Sequence, residues 1–189
     1  MRQGRERVSG YVQVDETCIG GRKKGGKRGR GTEGKSLVVI GVKDKAPKGI
    51  GLNRIQHVAD TSAVSLGSFV QVVIDPGSVI RTDGWQGYAG LPGLGYKREV
   101  FPSMELKLPH LVASLLKRWL LDTYQGAVRP THLAYYLGGF TFRFNRRTSR
   151  QRGKLFYRLV QQALMVDPVQ ENELKAEIPS EKDFDDLEF

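Results

Sequence analysis

The sequence predicts a mixed α/β layer fold, a sheet flanked by helices with a helical C-terminal part, and three observations carry that expectation. Residues 11–19 and 37–42 pattern as strands, the first alternating and the second continuously apolar. Residues 66–73 place apolar side chains at helical spacing between further strand-like runs. From about Pro109 onward the chain keeps to helical periodicity.

In order along the chain, Tyr11–Ile19 is expected to be a strand with Val12 and Val14 facing one way and Gln13 and Asp15 the other. Residues 20–35 hold seven Gly and seven Lys/Arg among sixteen positions, including Lys23, Lys24, Lys27 and Arg28. With no core-forming side chains, this tract reads as a mobile basic loop, or as a solvated hairpin tip. Its Gly29-x-Gly31 pair has no helix after it and is not a nucleotide fingerprint. Leu37–Val42 suits a strand buried on both faces. Gly51–His57 is a third strand, and Asp60, Thr61 and Ser62 are N-cap candidates for the helix carrying Leu66, Phe69, Val70 and Val73. Pro76-Gly77 ends that region. Val79–Asp83 is a fourth strand, Gly84–Tyr88 a turn or short helix, and Tyr96–Phe101 a fifth strand. Helices follow at Ala113–Leu121, Thr131–Asn145 and Lys154–Val166. The last is expected to bury Leu155, Leu159 and Leu164 or their neighbours.

The 189 residues suffice for one domain, and no apolar run reaches the roughly 18 residues that cross a membrane. The N-terminus lacks the apolar stretch of a secretory signal. One cysteine, Cys18, excludes an internal disulfide and a cysteine-built zinc site and implies a reducing, cytoplasmic setting. The net charge of +10 is uneven. Residues 171–189 hold eight acidic and two basic side chains, whereas residues 1–170 hold 28 basic against 12 acidic. A basic body of net +16 attracts polyanions by phosphate contact and counterion release; the plain alternative is a solubilising surface. The acidic segment after Pro168 lacks periodicity and is expected to be disordered.

Among the acids, Asp15 sits within a strand and Asp83 ends one. Carboxylates are rarely placed in a sheet unless paired or metal-bound. Each could be a turn-forming or salt-bridged Asp; together on neighbouring strands they could hold Mg²⁺ through oxygen. His110 is the third candidate, with Ser114 and Lys117 on the same helix face if a helix begins by residue 110. An imidazole there can bind a divalent ion, position a water, or cap the helix. Lys117 and Arg118 could be a solvated face or meet DNA phosphates.

Four motifs in order resemble the DDE transposases of the ISXO-type insertion sequences, the IS-fifteen-ninety-five group. They are Val14-Asp15-Glu16-Thr17-Cys18-Ile19-Gly20-Gly21, Arg81-Thr82-Asp83-Gly84-Trp85-Gln86-Gly87-Tyr88, Val112-Ala113-Ser114-Leu115-Leu116-Lys117-Arg118-Trp119-Leu120-Leu121, and Phe140-Thr141-Phe142-Arg143-Phe144-Asn145-Arg146-Arg147. The resemblance runs from about Val8 to Pro168. It implies a ribonuclease-H-like catalytic domain over residues 1–168, with an acidic tail at 169–189. It also implies two Mg²⁺ or Mn²⁺ ions. The family's first two catalytic Asp residues match Asp15 and Asp83. Its third position, Glu, Asn or His followed seven residues on by Lys, falls on His110 and Lys117.

What this implies is DNA strand cleavage and strand transfer of an insertion sequence by two-metal phosphoryl transfer, with ions about 4 Å apart. Asp15 would bridge the ions, Asp83 would hold one, His110 would complete the other's shell, and Lys117 would bind a phosphate. Lys23, Lys24, Lys27, Arg28, Arg118, Arg143, Arg146 and Arg147 would hold the DNA backbone. The implied partners are transposon ends, target DNA and further copies of the chain assembled on DNA, with no membrane. The implied setting is bacterial and nucleoid-associated. The family's usual zinc ribbon and DNA-recognition segment are expected to be missing. The 26 residues between Asp83 and His110 are few for the family, and Leu106-Lys107-Leu108-Pro109 would mark the deletion. Two alternatives share the charge pattern: a DNA-binding remnant without catalysis, and a nuclease of the same fold that does not transfer strands.

Overall fold

Among the described residues five strands build one sheet, and the strand-patterned runs of the first four each bury at least one face, while the last, at one edge, does not. The computed structural model of the chain describes residues 7–20, 35–125, 128, 130–165, 167, 168 and 170. Lys23, Lys24, Lys27 and Arg28, and the acidic segment 171–189, lie outside the described residues. The elements are β1 (Tyr11–Ile19), β2 (Ser36–Asp44), β3 (Ile50–Val58), α1 (Ala63–Val73), β4 (Val79–Thr82), β5 (Lys97–Val100), α2 (Lys107–Tyr124), α3 (Leu133–Asn145) and α4 (Arg152–Leu164). Strand order is β3-β2-β1-β4-β5. The first three strands form an antiparallel meander, and β4 and β5 add in parallel beside β1.

The apolar run in β2 is buried on both sides, as its continuity predicts. Val39 joins a core with Val12, Val14, Leu66, Phe69, Val70 and Ile80 under α1. Val38, Ile40 and Val42 join the opposite core with Val112, Leu116, Leu137 and Phe140 from α2 and α3. The strand is longer than its apolar stretch because its ladder with β1 runs from Ser36 to Lys43. Of the three N-cap candidates, Ser62 caps α1, its side chain accepting the Ser65 amide. Helix α2 begins at Lys107, six residues before the expected Ala113. Pro109 sits within its first turn, where a missing N–H costs no helical hydrogen bond.

One expectation fails. Helix α4 forms, but its apolar stripe is not buried: Leu155 is half-buried, Leu164 is 82% exposed, and Leu159, Phe156 and Tyr157 are exposed too. Periodicity fixes which side chains share a helix face, not whether another element covers it. Among the described residues no helix is long and apolar enough to cross a membrane.

Candidate active site

The parallel register of β1 and β4 brings the two candidate aspartates together. Tyr11 pairs with Val79, Val12 with Ile80 and Gln13 with Arg81. Two residues further on, the same offset sets Asp83 level with Asp15, and residues level on parallel strands face the same side. Strand β4 ends at Thr82, because the Asp83 carboxylate accepts the Trp85 amide at 3.0 Å and turns the chain. That turn is fixed from outside. Arg98 donates to the Asp83 and Trp85 carbonyls at 2.8 and 3.1 Å, and the Trp85 indole donates to the Thr61 carbonyl at 2.9 Å.

Asp15 is buried, with one oxygen accepting the Glu16 amide at 2.9 Å and the other 2.8 Å from His110 Nε2. The early start of α2 puts His110 on a formed helix, and its side chain, 48% exposed, spans from solvent to Asp15. The interval between Asp83 and His110 therefore does not turn the imidazole away. Asp15, Asp83 and His110 line one open cleft together with Glu16, Thr17, Cys18, Leu37 and Ser103.

Lys117 and Arg118 are exposed on α2 and do not line this cleft. Seven residues of helix set Lys117 about 10 Å along the axis from His110 on the same face. Ser114, between them, donates its hydroxyl to the Leu111 carbonyl. Arg143, Arg146 and Arg147 are at the end of α3. Arg146 packs 3.9 Å from the Phe142 ring centroid, and Arg147 donates to the Phe144 and Ile50 carbonyls at 2.9 and 2.6 Å. Arg147 thereby ties α3 to β3, a role within the fold that the expected DNA-backbone contact did not include.

Glu16 is the site residue that sequence reasoning missed. Strand alternation assigns it to the face opposite Asp15. Yet carboxylate oxygens of Asp15, Glu16 and Asp83 lie within 4.8 Å of one another, a set able to hold a metal ion. The reason is the early end of β4, which leaves the second half of β1 open on that side, so a long side chain can reach round. Buried Tyr88 donates its hydroxyl to Glu16 at 2.9 Å. The only sequence signal was an acid directly after Asp15.

Burial raises the Asp15 carboxyl above the ordinary value of 3.8; the Glu16 amide and His110 pull it down, and nearby Asp83 pushes it up. Burial and the Glu16 carboxylate likewise hold Tyr88 well above the usual phenol value. A carboxyl raised on folding binds more protons folded than unfolded. Its contribution to stability is therefore present at low pH and is lost as pH rises from 3.8 through the folded value. We expect metal-free Asp15→Asn to melt a few degrees above wild type at neutral pH by thermal denaturation. A lower melting temperature would show that the His110 contact outweighs burial.

No curated protein matches the chain by sequence. Among solved structures, the catalytic core domain of BIV integrase superposes with a TM-score of 0.52 at 14% identity, covering 84% of this chain and 100% of that one. The shared architecture is a ribonuclease-H-like mixed sheet with flanking helices. The model of the ISXO2-like transposase domain matches residues 7–145, the span that holds the sheet, the cleft and α2. The chain belongs to the ISXO2-like transposase domain family, whose work is DNA transposition.

Proposed function

We propose that this chain cleaves DNA strands and joins them to a target by divalent-metal-dependent phosphoryl transfer, with Asp15, Asp83 and His110 as the ligand set. The observation that carries this reading is the convergence of Asp15 on β1 and Asp83, just past the end of the adjacent parallel β4, with an imidazole from α2. The donor set fits hard divalent cations. Asp15 Oδ2 and His110 Nε2 stand 2.8 Å apart, near the ~3 Å between neighbouring ligands of an octahedral ion with bonds of about 2.1 Å. Two Mg²⁺ or Mn²⁺ ions, when bound, supply activation of a water or a DNA 3′-hydroxyl and stabilisation of the leaving oxygen.

The chain's own groups do the rest. Asp15 offers an oxygen on the floor of the cleft, where burial opposes its negative charge and a bound cation would offset that cost. Asp83 is oriented by the Trp85 amide, so its free rotation is spent before substrate arrives. His110 reaches from solvent and closes the set. Lys117, on the same face of α2, is the group this reading assigns to a phosphate flanking the cut. The partners under this reading are transposon ends and target DNA, engaged by a homo-oligomer.

A supercoiled-plasmid assay tests the reading: the full chain should nick with Mn²⁺ or Mg²⁺ and be silent in chelator. His110→Ala should retain partial activity, lowered about 10-fold, because water can replace a neutral ligand. Folded wild-type protein that binds plasmid and never nicks it would favour a DNA-binding remnant. Nicking without joining of a labelled 3′-end would favour a nuclease.

A further inference from the structure

Two residues upstream of each candidate ligand, a contact reaches one shared polar layer. Gln13 precedes Asp15 on β1, Arg81 precedes Asp83 on β4, and Leu108 precedes His110 in the first turn of α2. The Gln13 side chain, buried at 8% exposure, accepts the Leu108 amide at 3.2 Å and donates to Asp44 Oδ2 at 3.3 Å. Arg81 donates to the same Asp44 oxygen at 3.1 Å and to Glu99 at 3.0 Å. The other Asp44 oxygen accepts the Ala46 amide at 2.9 Å, so the carboxylate is anchored in the turn after β2. Arg81 also lies 4.6 Å from the Tyr11 ring centroid and 5.4 Å from that of Phe101.

Two features separate this layer from ordinary surface pairing. First, one carboxylate oxygen couples both strands that carry the aspartates, and two residues along a strand are one side-chain row, about 6.6 Å, on the same face. Second, the start of α2 has no side-chain cap of its own, as Leu106 at the N-cap offers none. The Leu108 amide is one of the first-turn donors that a helix leaves unsatisfied, and Gln13, from another element, satisfies it. Its amide fits only one way, oxygen to the N–H and nitrogen to the carboxylate.

We infer that Gln13, Asp44 and Arg81 form a positioning layer that sets the separation of Asp15 and Asp83 and the height of His110 above them. This rests on the proposed metal site. Ligand atoms must sit within about 0.2 Å of their coordination distances, and the layer fixes three separate elements one row below those atoms.

The test uses the full chain and Mn²⁺ alone, followed by free-Mn²⁺ electron paramagnetic resonance, with plasmid nicking and thermal melting in parallel. Gln13→Met keeps length and removes both hydrogen bonds; Asp44→Asn keeps shape and removes the charge facing Arg81. Each should weaken Mn²⁺ binding and lower kcat about 10-fold or more, as outer-shell changes do, with KM for plasmid within about two-fold. A role in folding alone would lower the melting temperature and leave Mn²⁺ affinity and kcat of the folded protein unchanged, which overturns the layer. Should Gln13→Met melt below the assay temperature, Asp44→Asn decides by the same criteria. Wild-type protein that takes up no Mn²⁺ overturns the metal site itself, and the layer with it.

Discussion

Asp83→Asn and Asp15→Asn are each expected to abolish Mg²⁺-dependent nicking, with a fall on the order of 10³-fold or more, beyond the roughly 10–100-fold typical of outer-shell positions. The change is electrostatic. An amide has nearly the shape of a carboxylate but lacks the charge that holds a hard divalent cation in place of its water shell. The fold should survive. Asp83 makes its turn through an oxygen that accepts the Trp85 amide, and an Asn carbonyl can accept the same bond. In Asp15→Asn the Glu16 amide keeps an acceptor, while a buried charge is removed. The check is plasmid nicking with circular dichroism of the same samples. Folded Asp83→Asn protein as active as wild type would place the chemistry elsewhere.

Leu116→Ala is expected to cost about 3–5 kcal/mol of stability, the range for removing a buried Leu side chain and leaving a cavity. Leu116 is fully buried where α2 packs on β2, among Val38, Ile40, Val42, Val112 and Phe140. For a domain of this size that loss lowers Tm by about 10 °C, read by differential scanning fluorimetry. The consequence reaches the site, because α2 carries His110, which meets Asp15 across 95 residues of sequence. A loss under about 1 kcal/mol, the scale of an exposed position, would show that α2 is held by its first-turn contacts rather than by its buried face.

Much of the architecture was legible because local periodicity is a property of neighbouring side chains. Strand β1 was readable from Val12 and Val14 opposing Gln13 and Asp15, and the two-sided burial of β2 from its unbroken apolar run. The stripe of Leu66, Phe69 and Val70 gave α1 its phase. Asp15 and Asp83 stood out because charge within or at the end of a strand is costly without a partner. Helix α4 shows the limit of the same logic. Its spacing is helical, but its apolar side chains remain exposed.

By itself, then, the sequence determined which segments are strands or helices and which faces are apolar, and it marked Asp15, Asp83 and His110 as candidates. The family resemblance added the roles implied for them. Only the tertiary structure decided the rest. The offset between β1 and β4 that levels the two aspartates is a register between segments far apart in the chain. The early end of β4 admits Glu16 to the cleft against its strand alternation. Gln13 caps a helix that begins 94 positions later, across a contact no local pattern encodes. Each depends on hydrogen bonds whose partners are distant in sequence, and periodicity carries no information about which distant group will supply them.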